Sequence, residues 1–185
     1  VSTKTLAELQ AKRRMTQLAS HVPETKSAAK RKATEIIRWL VPQGVTRSLK
    51  QCSTTVDAHK DAVTIGNRQW WFNWDKVDSL SEDFADFCTS KVRQLPPADD
   101  GTAGAVIPES HSNLSKYRSA IYHFRQEARI IDRVKIDDAK IGIYEDTLTG
   151  FFNGVRRDEG KLTQKGVLTS KKGGTLFPLE LYSTF

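Results

Sequence analysis

Four side chains within "LSKYRSAIYHFRQEARII" (114–131) could act together: Arg118, Tyr122, Arg125 and Arg129. At 3.6 residues per turn they stack on one side of a helix. A solvated face usually mixes charge signs to gain i,i+4 pairs. This row is basic with one aromatic, which suits the phosphates of a polyanion. Phosphate contacts need only presented Lys and Arg, and a tyrosine hydroxyl can donate beside them. Further along, Arg156 and Arg157 add two charges, Lys171 and Lys172 two more, and "KRK" supplies Lys30, Arg31 and Lys32.

Other chemistry is missing. There is no GxxxxGK[ST] and no GxSxG. The histidines His21, His59, His111 and His123 are scattered, with no Cys or carboxylate at ligand spacing, so neither a metal site nor a cofactor is expected. Asp99–Asp100 and Asp137–Asp138 read as caps and turns rather than paired-carboxylate catalysis. Cys52 and Cys88 read as free intracellular thiols.

Charge is unevenly spread. The net charge is +7. Residues 1–40 hold nine Lys/Arg against three acids, 41–149 fourteen against sixteen, and 150–185 six against three. Basic ends on a balanced middle suggest nucleic acid or an acidic membrane surface as partner. No apolar run approaches the roughly 20 residues that cross a bilayer, and of the two partners nucleic acid is the one expected, not a membrane. The chain opens at Val1 without an initiator Met, which fits a fragment or a processed product.

The elements that would carry these residues read as helices. Beside the basic row, Leu114, Tyr117, Ile121, Phe124, Ala128 and Ile131 recur at alternating three and four, one face of a helix capped by Ser112 or Asn113. Residues 1–22 have a weak stripe (Leu6, Leu9, Leu18) before Pro23. Ala29, Ala33, Ile36 and Leu40 share a face in a second basic helix, ended by Pro42 and Gly44. Residues 45–68 read as loop. "QWWFNWDKV" reads as a helix through Trp70, Trp74 and Val77, its indoles in the core. A helix over 81–95 carries Phe84, Phe87 and Cys88 behind a Ser81 N-cap. The last helix, near 144–160, has Tyr144, Leu148, Phe151 and Val155 as its stripe, and Gly150 and Gly154 suggest close packing on another helix. Pro178, Leu179, Tyr182 and Phe185 start something new.

This order of parts resembles the N-terminal core-binding domain of tyrosine recombinases, in the manner of crypton-like elements. The likeness rests on Tyr117–Phe124 ("YRSAIYHF"), Gly154–Arg157 ("GVRR") and Pro178–Tyr182 ("PLELY"), and covers roughly residues 68–185. It implies an all-α fold: a four-helix, SAM-like core-binding domain over 68–165. At 166–185 it implies a basic tether opening a missing catalytic domain, while residues 1–67 lie outside the likeness and read, from their residues, as a basic helical extension at 1–44 and a linker at 45–67. It further implies that this chain clamps duplex DNA without cutting it, inside the cell and in the nucleus, with self-association into a homo-oligomer on DNA as a corollary. In the family, a tyrosine nucleophile and a His-x-x-Arg motif belong to the catalytic domain. No His-x-x-Arg occurs here, and Tyr182 matches a structural position. Two other readings stand beside it: a helical RNA-binding or scaffold subunit of a ribonucleoprotein, and a protein-interaction domain using its tryptophans.

Overall fold

The computed structural model describes residues 23–52, 60–97, 101, 103–130 and 132–168. Helix α1 spans Pro23–Leu40. Its Ala29, Ala33, Ile36, Ile37 and Leu40 are buried, and a short 3-10 turn at Val41–Gln43 follows. Gly44 closes that turn at φ +73°, a conformation that favours glycine, with its N–H donating to the Val41 carbonyl.

Strands β1 (Leu49–Cys52), β2 (Val63–Ile65) and β3 (Arg68–Phe72) then form an antiparallel sheet in the order β1-β3-β2. Leu49 lies opposite Phe72, and Val63 opposite Trp70. Gly66, at φ +61°, and Asn67 join β2 to β3 as a tight hairpin. Asn73 accepts a hydrogen bond from the Asp75 N–H and opens a 3-10 turn at Trp74–Lys76. That turn leads into α2, Val77–Ser90. Strands β4 (Val92–Gln94) and β5 (Val106–Pro108) make a two-stranded antiparallel ribbon. Helix α3 is His111–Ile130 and helix α4 is Asp138–Gln164, capped by the Asp137 carboxylate on the Ala139 N–H.

The core lies where α1 packs on α3, α2 on α4, and the three-stranded sheet closes one side. Trp71 meets Phe124 edge-on with ring centres 4.9 Å apart. Phe87 meets Tyr117 at 5.1 Å, and Phe84 meets Phe152 at 6.4 Å. Such aromatic contacts add to simple area burial.

The fold is therefore mixed α/β, and the all-α, four-helix SAM-like expectation is corrected. The helix expected at 70–77 is strand β3, a turn, and the first residue of α2. Trp70, Trp74 and Val77 share helical spacing by coincidence; Trp71, off that line, is among the deepest side chains. The "loop" at 45–68 holds β1 and β2. The 81–95 helix starts earlier and stops at Ser90, so Ser81 is not its N-cap: it is fully buried and donates to the Asp78 carbonyl. Ser110, rather than Ser112 or Asn113, caps α3 by accepting from the Asn113 N–H. On α4 it is Phe152 that is buried, with Phe151 and Val155 at the core's margin. A Cβ on Gly150 or Gly154 would meet nothing within 4 Å, so neither glycine admits a close neighbour. The expected boundary at residue 44 cuts through the core, because α1 belongs to it. Residues 1–22 and 169–185, with Lys171, Lys172 and the "PLELY" stretch, lie outside the described residues, as does Ile131.

Candidate nucleic-acid interface

Helix α3 places its apolar stripe as the spacing requires: Leu114, Tyr117, Ile121, Phe124 and Ala128 are all buried. The neighbouring basic row turns toward α4. Glu145 of α4 accepts from Arg118 Nη2 at 2.9 Å and from Arg125 Nη2 at 2.6 Å. Arg125 is almost fully buried, its guanidinium over the rings of Tyr144 (5.1 Å) and Tyr122 (5.3 Å). Arg118 lies 5.4 Å from the Phe152 ring. Arg129 stands 3.8 Å from Asp138, and Tyr122 is exposed. The row thus works as an inter-helix clamp. Burial acts to raise the Glu145 carboxyl, and the two arginines outweigh it, holding it below its ordinary range.

The lysines of α1 are also engaged. Lys30 pairs with buried Asp61 at 3.2 Å. Lys32 donates to Glu35 at 3.2 Å and to the Tyr117 hydroxyl at 3.0 Å, above the Tyr117 ring. Lys26 and Lys60 both donate to buried Glu127, at 2.9 and 2.5 Å, pinning α1 and the approach to β2 onto α3.

Burial acts to raise the Glu127 carboxyl, and hydrogen bonds from Lys60 and Lys26 overcome it, leaving it below the ordinary 4.5. A lowered folded pKa contributes stability that is present above the unfolded value and lost as pH falls through the folded one. Thermal unfolding temperature should accordingly drop on acidification below about pH 4.5. Glu127→Gln should be less stable at neutral pH and should flatten that drop. An unchanged acid limb would show that the cluster carries no linkage.

A groove flanks the N-terminal half of α3. One section, about 450 Å³, lies between α1 and α3 and is lined by Arg31, Lys32, Lys116 and His123 and by serines and alanines. The other, about 850 Å³, runs between β4, the start of α3 and the end of α4, past Arg93, His111, Lys116, Arg156 and Glu159. Ser112 and Lys116 border both sections. Among the described residues, five Lys/Arg and a single carboxylate line the two sections of this groove. The positive end of α3 opens into it as well.

Of the residues singled out in the sequence, Arg31, Lys32 and Arg156 stand on this groove, while Arg157 is exposed outside its lining. Sequence reading missed Lys116, Arg93, His111 and His123. One signal was legible: Ser112, Ser115 and Ser119, spaced three and four, make a stripe of short side chains along α3. Among the described residues there is no group of three His, Cys, Asp or Glu that could hold a metal ion, and no helix long and apolar enough to cross a membrane. Both cysteines are buried and unpaired as disulfides, and burial pushes the Cys88 thiol up to about 12, which makes it a poor nucleophile. Comparison with protein-family models, with curated proteins and with solved structures finds no match to this chain.

Proposed function

We propose that this chain binds duplex DNA through its phosphate backbone, along the groove at the N-terminal half of α3. The observation that carries the reading is that Arg31, Lys116 and Arg156 stand exposed on that surface with no carboxylate partner among the described residues, while Lys32 and Arg93 are paired with Glu35 and Glu159. The basic row on α3, by contrast, is matched by acids. A concentrated positive surface beside a helix N-terminus attracts phosphate by both charge and dipole. Duplex is favoured over single strands because no Trp, Tyr or Phe is among the described residues that line the groove, and single-strand sites stack bases on such rings.

Arg31, Lys116 and Arg156 are exposed, so their joint replacement by Ala should leave thermal stability nearly unchanged. It should weaken binding of a mixed-sequence duplex and reduce the slope of log K against log salt by about 0.9 for each phosphate no longer neutralised. Fluorescence anisotropy across a salt series reads this. An unchanged slope would show that the groove does not hold phosphate. Tighter binding of duplex RNA at equal salt would move the function to the ribonucleoprotein reading.

Descent from a tyrosine recombinase is a separate part of the proposal. It is supported by the "YRSAIYHF" and "GVRR" stretches falling on α3 and α4. An Arg…His-x-x-Arg…Tyr series encoded after Phe185 would be the expected finding, and its absence from the coding sequence would remove the relationship.

A further inference from the structure

We infer that the groove grips the sugar-phosphate ridge of a duplex without reading its base sequence. This rests on the DNA-binding reading above and specifies its substrate class. Base-edge recognition uses Arg, Lys, Asn, Gln, Asp or Glu side chains with hydrogen-bonding groups to offer, carried on an element that enters the major groove. The described side chains of these kinds on this surface are Arg31, Lys32, Arg93, Asn113, Lys116, Arg156 and Glu159, and Lys32 donates to Glu35 and to the Tyr117 hydroxyl. Arg93 faces Glu159 at 3.7 Å. The Asn113 amide is engaged at both ends, donating to Glu109 Oε1 at 3.1 Å and accepting from Lys116 Nζ at 2.8 Å. Arg156 Nη2 lies 3.3 Å from His111 Nε2. Of these seven, Arg31 alone has no polar partner among the described residues.

The shape argues the same way. Between the cations the α1–α3 section is lined by Ser112, Ser115, Ser119, Ala28, Ala29 and Ala120, all short. A serine hydroxyl accepts or donates to a phosphate or to any base, so it discriminates little. In this section α3 is flanked by α1, which packs on it, whereas a reading helix must project. A concave, basic, small-residue trough fits a convex phosphate ridge.

The test uses the full chain and a labelled mixed-sequence duplex, competed by alternating A·T and alternating G·C duplexes of equal length at fixed salt. The two competitors should differ by less than about tenfold, against the roughly 10³–10⁷ that separates specific from non-specific sites. Selection from a random duplex pool should enrich no motif. Arg31→Ala should weaken both duplexes equally, and Asn113→Ala should leave their ratio unchanged. A competitor ratio above tenfold, an enriched motif, or an Arg31→Ala loss confined to one duplex would overturn the inference and leave the DNA-binding reading standing. Failure to bind any duplex at low salt would overturn both.

Discussion

Removing residues 1–44 is expected to leave a chain that no longer unfolds cooperatively. Helix α1 is an integral wall of the core, with Ala33, Ile36, Ile37 and Leu40 fully buried. Burying an Ile or Leu side chain contributes about 1.5–3 kcal/mol. Three such residues represent a large share of the roughly 5–15 kcal/mol by which a domain is stable. The deletion would also remove the helix that packs on α3, and strip Lys32 and Glu35 from Tyr117 and Lys26 from the buried Glu127 carboxylate. Circular dichroism during thermal denaturation reads the result. A sharp transition in the truncated chain would show that α1 is an appendage after all. Ile36→Ala supplies the graded version in the full chain, at a cost of about 2–5 kcal/mol.

The second large effect concerns the arginine row. Glu145→Ala should destabilise the fold by about 2–4 kcal/mol, because it leaves the nearly buried Arg125 guanidinium without its carboxylate. That range is set below the usual cost for a buried pair because the Glu145 side chain is 36% exposed and partly screened by solvent. Arg125→Ala should cost a similar amount, since it also empties the space over Tyr144 and Tyr122. Arg118→Ala, at a one-third exposed position, should cost about 1 kcal/mol or less. A double-mutant cycle on Arg125 and Glu145 should give a coupling of about 1–3 kcal/mol. Urea unfolding measures all of these. If Arg125→Ala unfolds like the parent and instead loses DNA affinity, the row faces the ligand and the clamp description fails.

The acid dependence of this clamp has a definite sign. Glu145, like Glu127, is held below its ordinary value, so its contribution is present at neutral pH and lost as pH falls through the folded pKa. The two clusters fasten different contacts: Glu145 joins α3 to α4, and Glu127 joins α3 to α1 and to Lys60. Replacing either should leave the other's acid limb in place.

The features legible in the residues alone were local and periodic. The stripe Leu114, Tyr117, Ile121, Phe124 and Ala128 could be read directly, because one helical face meeting one core imposes a repeat that short-range spacing records. The same holds for Ala29, Ala33, Ile36 and Leu40, and for Phe84 and Phe87. The hairpin at β2–β3 was missed: "VTIGNRQWWF" is a β-rich run broken by Gly-Asn, but 45–68 read as loop and the helical spacing of Trp70, Trp74 and Val77 won the rest. Strands of three to five residues are too short to show an alternation that overrides such a coincidence.

What the charges do was settled by packing. A basic row looks the same in sequence whether it meets phosphate or a carboxylate from another helix. Glu145 lies 27 residues from Arg118 and 20 from Arg125, and only the packing of α4 on α3 brings it between them. The groove is likewise assembled from α1, β4, α3 and the end of α4, segments with no shared motif. Charge pairing and concavity depend on distances between residues remote in the chain. Helical periodicity depends on the backbone geometry of neighbours, and that is why the sequence carried the one and left the other to the fold.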